Sequence, residues 1–421
     1  MQLFEKPDSL KFSHKLSDYY FPILWCFLWF VVDPGLSSHR LLQINFVIRL
    51  LLFAYIFIKS IEANKLLKPG IVGWILLFGF IADSIHGNLF ASLKWTLFYR
   101  NLGLLLILIF YLDNYEKLFT FIKIFLLYIF LTVILIGFYQ YFTHISIYDS
   151  SKLRAFNPTF YLEAGRFTGL IYGTSNDAVS FILVLVFFLS SIVIAGFYKR
   201  GLSFLCLILT LFALFFTYTR AGWAAFLIGT MIFFYFGLKD KIGTWSKLLF
   251  LVIIFITLFY FFYFNLLVSS SHYERIISSV NLVTRFDFYG IVLDNMWKNI
   301  LGNGLYSDPS DSFYTISRIY ITTENQFLNW LLFIGLPGVL YILFRIFRQL
   351  FLLFLKLKNL KFYKEDYYLG LALLVSQVSV IISEMTTTNL YFLIILLYIL
   401  IDVYLNKCYV LQSKPYNKTI T

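Results

Sequence analysis

Apolar runs of roughly twenty residues, broken by short polar stretches, recur along almost the whole chain, as in helices that cross a bilayer. They fall near 19–32, 41–58, 70–91, 97–112, 118–143, 174–197, 201–218, 221–238, 248–268, 327–347, 367–384 and 389–405. The pattern predicts an all-α membrane protein of about 12 transmembrane helices, with 11 as the alternative because the first run is short. No repeat, linker or low-complexity tract divides the chain, so 1–421 reads as a single polytopic membrane domain.

Residues 269–326 depart from this pattern as the longest polar insertion, a large periplasmic or extracellular loop. From Asn281 to Ile300 its apolar positions recur at Leu282, Phe286, Tyr289, Leu293, Met296, Trp297 and Ile300, a helical spacing. The expected element is an amphipathic helix that lies along the interface or caps the bundle. Asp294 and Lys298 form an i,i+4 pair on its polar side, and Gly302-Asn303-Gly304 stops it. The loop ends on Thr322-Thr323-Glu324-Asn325-Gln326-Phe327-Leu328, and the next span continues through Gly335-Leu336-Pro337-Gly338.

Composition agrees: 60% of residues are hydrophobic and 13% charged, where a soluble chain carries about a quarter charged. The net charge of +12 does not indicate nucleic acid, since the basic residues sit in short loops and no compact basic domain exists to bind it. If the N-terminus is cytoplasmic, 22 of the 34 Lys and Arg fall inside, 11 outside, and Arg49 lies within a span. That bias predicts a multi-pass protein of the cytoplasmic membrane with both termini cytoplasmic, and it puts 269–326 outside. Residues 1–18 read as a polar cytoplasmic tail before a first helix, not as a cleaved signal. Cys26, Cys206 and Cys408 are far apart, and His144 and His272 are isolated, so neither a disulfide framework nor a metal site is expected.

The outside cations lie close to spans or in the predicted helix: Arg166, Arg220 in the turn Thr217-Tyr218-Thr219-Arg220-Ala221-Gly222, Arg285 and Arg318. A guanidinium at a bilayer face is costly unless solvated, paired or bound to a ligand. Each alone is accounted for by snorkelling or by an acid such as Glu163 or Asp287; as a set they suit an anionic head group such as a diphosphate. Glu324 stands where the loop meets a span. It is placed either to take a proton from a sugar hydroxyl or to sit in the first turn of a helix capped by Thr322 or Thr323. Asp308 and Asp311 read as solvated loop acids. Asp83 with His86 reads as a hydrogen-bonded pair in the bundle or as a proton relay, and Glu384 ends a span on the outside. No phosphate-binding glycine loop or nucleotide fold is present, so no cofactor is expected and the chemistry must draw on a substrate already activated outside.

Four segments resemble the O-antigen ligase and polysaccharide polymerase superfamily of bacterial membrane glycosyltransferases. They are Arg166-Phe167-Thr168-Gly169 with Ser175-Asn176-Asp177, then Thr219-Arg220-Ala221-Gly222. The third is Arg285 followed by Trp297-Lys298-Asn299-Ile300-Leu301-Gly302-Asn303-Gly304. The last is Glu324-Asn325-Gln326-Phe327-Leu328 with Gly335-Leu336-Pro337-Gly338. The resemblance implies metal-independent glycosyl transfer between polyprenyl-diphosphate-linked oligosaccharide donor and acceptor at the outer face of a bacterial inner membrane. It implies Glu324, Arg220 and Arg285 as catalytic residues, and Arg166, Asn176, Arg318 and Asn325 as substrate-binding residues. It further implies the lipid bilayer and a chain-length regulator protein as partners. Ligases of lipid A core typically carry His where this chain has Glu324, which favours a polymerase of repeat units over the alternative of an O-antigen ligase. A lipid-linked oligosaccharide flippase is the alternative from another class; such transporters favour paired repeats and charged spans near the midplane.

Overall fold

The computed structural model describes residues 17–32, 47–52, 54, 55, 58, 70–87, 102–112, 115–143, 167, 175–195, 200–217, 219, 220–237, 280–304, 325–359, 364–385 and 391–413. Among them every regular element is a helix. In order these are α1 (Ser17–Phe27, continued by a π-helical turn Leu28–Val32), α2 (Gly70–Ile85), α3 (Leu102–Tyr111) and α4 (Tyr115–Ile129). A second π-turn, Phe130–Leu135, leads from α4 into α5 (Ile136–Thr143). Then come α6 (Ser175–Ala195), α7 (Arg200–Phe216), α8 (Arg220–Gly237), α9 (Val280–Lys298), α10 (Gln326–Asn359), α11 (Lys364–Glu384) and α12 (Tyr391–Ser413).

Among the described residues four stretches are long and apolar enough to cross a membrane: Tyr115–Thr143, Ala178–Ala195, Phe327–Lys358 and Asp366–Glu384. Shorter apolar helices pack with them. The expected span at 248–268 lies outside the described residues, and of that at 41–58 only part is described, all of it helical.

Lipid offers no hydrophobic drive between helices, so small residues and aromatic interlock must bring them together. Both devices are present. A side chain on Gly222 would meet Val179 Cγ1 at 2.5 Å. One on Gly229 would run into Ser379 and Phe187, and one on Gly370 would meet the Tyr404 hydroxyl at 2.5 Å. Through these contacts α6, α8, α11 and α12 close to short range. On the other side Trp29 lies 3.8 Å from Phe392 and 5.5 Å from Phe181, ring to ring, while Trp25 meets Phe121 at 5.1 Å. The Trp25 indole donates to the Leu104 carbonyl at 2.9 Å, so its N–H is satisfied inside the apolar cluster.

The helix ends sort into two sets. At one, Tyr115 donates to the Asp366 carboxylate at 2.6 Å, Tyr404 to the Asp366 carbonyl at 2.7 Å, and Tyr367 to the Phe236 carbonyl at 2.7 Å. At the other lie His86, Thr143, Phe216, Gly302, Asn325 and Glu384; we refer to it as the outer end, the side that the Lys and Arg distribution predicts. Between the two, Arg345 on α10 is half-buried and donates to the Tyr341 and Tyr398 hydroxyls, both at 3.1 Å. A cation at that depth needs such partners.

Candidate functional site

Phe167, the residue after Arg166, is fully buried between Phe138 at 5.2 Å and the end of α7. Its backbone N–H donates to the Phe216 carbonyl at 3.0 Å. This joins the chain leaving Arg166 to the turn that begins α8 with Arg220. The turn is held from within: the Thr217 hydroxyl donates to Leu214 O at 2.6 Å and lies 3.1 Å from the Thr219 hydroxyl, while Trp223 N–H donates to Thr219 O at 3.2 Å. Gly222 then admits Val179, which seats the first turn of α6, where Asn176 lies, beside the first turn of α8.

Glu384 completes this corner. It is wholly buried at the outer end of α11, and Ser180 of α6 donates to its Oε1 at 2.8 Å; the Ser180 hydroxyl is also 3.1 Å from that of Ser383. A carboxylate inside a bundle persists only where donors meet it. The sequence placed Glu384 at an outside helix end but carried no signal of Ser180 as its partner, because the two are far apart in the chain.

The second corner is built on α9, α10 and α2. The predicted amphipathic helix forms over Val280–Lys298, with Arg285 in its first half. Its buried face differs from the expected one. Val292 and Met296 turn inward, Val292 packing with Leu332 and flanked by Ile291 and Leu328. Leu293, Trp297 and Ile300, expected on the apolar face, are exposed, Trp297 at 70%. The reason is that the helix rests along one side of α10 and not on the flat top of the bundle.

Gly302-Asn303-Gly304 does more than stop this helix. Helix α10 is interrupted at Gly335 (φ 68°, ψ 179°), a conformation that favours glycine, and Pro337 two residues on has no N–H to give. The break leaves carbonyls without the usual fourth-residue donor. Asn303 N–H donates to Leu332 O at 2.6 Å and Gly304 N–H to Phe333 O at 3.0 Å, while Leu336 N–H turns to Ile300 O at 3.0 Å. The two glycine motifs are halves of one backbone lock.

At the head of α10 the cap is Asn325, not a threonine. Its side-chain oxygen accepts from Phe327 N–H at 3.0 Å and Leu328 N–H at 3.3 Å. Glu324 therefore precedes the helix and does not lie in its first turn. Arg166, Arg318 and Glu324 themselves lie outside the described residues, as do Asp308 and Asp311. Among the described residues no three of His, Cys, Asp and Glu converge as metal ligands would. The described residues thus bring Asn176, Arg220 and the chain after Arg166 to one corner, and the helix of Arg285 and Asn325 to another. Helices α10 and α11 pack together and link the two.

A family model described as O-antigen ligase matches residues 205–343. The matched stretch runs from α7 through α8, α9 and the glycine turn into α10 beyond the break, and it contains Arg220, Arg285, Arg318, Glu324 and Asn325. It supports a place for the chain in the O-antigen ligase and polymerase superfamily. No curated protein and no solved structure matches the chain.

Proposed function

We propose, proceeding from that place in the O-antigen ligase and polymerase superfamily, that the chain is a membrane glycosyltransferase that polymerises polyprenyl-diphosphate-linked repeat units. Transfer takes place at the outer face of the bacterial inner membrane. The observation that carries the reading is the Phe167–Phe216 backbone bond, which ties the Arg166 segment to the Arg220 turn. Guanidinium groups brought together from the Arg166 segment and the Arg220 turn would suit a diphosphate, whose charge grows as the glycosidic bond breaks.

In this reading Arg166, Arg220 and Arg285 bind the donor diphosphate and stabilise it as a leaving group, with Asn176 and Arg318 helping to hold the lipid-linked substrates. Glu324 takes the proton of the acceptor hydroxyl as that oxygen attacks the anomeric carbon. Asn325, by capping α10, fixes the point at which the chain after Glu324 enters the helix. The bond to the diphosphate oxygen breaks as the new glycosidic bond forms on the opposite face. The bilayer is the setting of this activity, and a chain-length regulator is a further partner the reading allows. Glutamate in place of histidine at 324 favours a polymerase over a ligase acting on lipid A core.

The test is to delete the protein and resolve the surface polysaccharide on a gel. A core carrying one repeat unit supports the polymerase. A bare core points to the ligase, and repeat units trapped inside the cell point to a flippase.

A further inference from the structure

Asp83 lies near the outer end of α2 and is fully buried, although it is a carboxylate in an apolar span. Its surroundings explain how it is tolerated. A side chain on Gly304 would fall onto the Asp83 carboxylate, with Cγ at 2.6 Å and the Asp83 Cα at 3.1 Å, so the acid fills the space that the glycine leaves empty. Gly304 has φ +93°, a second reason for glycine there. Three residues further on, in the turn that follows α2, the His86 ring nitrogen Nε2 lies 3.4 Å from the Gly302 carbonyl. Two polar side chains at the end of α2 and in the turn after it therefore meet the first and last residues of the turn whose N–H groups close the gap in α10. Gly302 is pressed from the other side, since a side chain on it would meet the Gly335 nitrogen at 2.5 Å and the Phe333 carbonyl oxygen at 2.7 Å.

We propose that Asp83 and His86 are positioning residues of the glycosyl-transfer site, clamping the Gly302–Gly304 turn so that α9 and the part of α10 ahead of Gly335 are held as one unit. This rests on the polymerase reading, in which Arg285 rides on α9 and the acceptor is activated next to the head of α10. A slack turn leaves both arms folded but lets them move relative to each other. Misplacing catalytic groups by an ångström lowers the rate of the chemical step far more than the affinity for substrate. The clamp explains a buried acid that neither a proton relay nor bundle packing alone accounts for, because its neighbour is the turn's backbone.

The experiment uses the full chain in lipid nanodiscs and two readouts. Hydrogen–deuterium exchange reports the amides of Asn303 and Gly304, and glycan transfer is measured with a polyprenyl-diphosphate oligosaccharide. In Asp83→Ala exchange at those amides rises about tenfold, and kcat falls about tenfold with KM within about twofold. Asp83→Asn, which keeps the shape against Gly304, recovers most of both. His86→Ala, at an exposed side chain, shows the same pattern more weakly and stands in if Asp83→Ala does not fold. Ser84→Ala, whose hydroxyl only bonds back to Phe80 O at 2.7 Å, changes neither. Unchanged exchange in Asp83→Ala and His86→Ala overturns the clamp. Raised exchange with an unchanged kcat overturns the positioning role. Wild-type protein that transfers no glycan overturns the polymerase reading instead, and exchange alone then judges the clamp.

Discussion

Arg220 and Glu324 carry the sharpest expectations at the scale of single residues. Arg220→Ala and Glu324→Ala each abolish long-chain polymer while the protein remains in the membrane; a normal ladder on the gel removes that residue from the mechanism. Ser180→Ala tests the second acid. It takes the 2.8 Å donor from the buried Glu384 carboxylate, and a hydrogen bond to a charged group contributes about 1.5–3 kcal/mol. A lowered midpoint of thermal unfolding in detergent, with Ser383→Ala milder, is the expected result. Asn325→Ala removes both cap bonds at the head of α10, a loss of about 1 kcal/mol. Polymer yield then falls because the chain around residue 324 loses its anchor.

Elements show which features the sequence announces and which it hides. Helical spacing locates α9 within a few residues, because an amphipathic period survives any tertiary context. Which stripe is buried cannot be read the same way. Leu293, Trp297 and Ile300 share the period with Met296, yet only the docking partner decides among them, and α10 takes the Val292–Met296 side. The cap on α10 follows the same logic: Thr322, Thr323 and Asn325 are all good caps by type, and only the carbonyl geometry selects Asn325. Gly302-Asn303-Gly304 and Gly335-Leu336-Pro337-Gly338 were each legible as breaks, but their mutual bonding is a three-dimensional fact. Gly335→Ala tests it. The substitution strains a positive φ and drives a Cβ into the Ile300 and Leu301 carbonyls. Limited proteolysis then cuts at 299–304 in the variant and not in the wild type.

For the whole molecule the length of α10 is informative. Its 34 residues measure about 51 Å at 1.5 Å per residue, against a hydrocarbon core of about 30 Å. The stretch ahead of Gly335 accounts for about 14 Å of that length, and α9 packs beside it through Val292 and Leu332. Orientation is testable in intact cells on a background without native cysteine. Trp297→Cys reacts with a membrane-impermeant maleimide from outside, whereas Asn406→Cys, exposed near the opposite end, reacts only after lysis. The reverse pattern inverts the topology and removes the site from the outer face.

The exchange of donors at Gly335 also bears on how the protein is made. Leu332 and Phe333 receive their N–H groups from Asn303 and Gly304, which leave the ribosome before α10 does. Helix α10 is therefore not a self-sufficient unit: the turns around its break are completed by a segment made before it. A chain lacking that segment leaves the Leu332 and Phe333 carbonyls without these donors, a loss that falls on the folding of α10 itself.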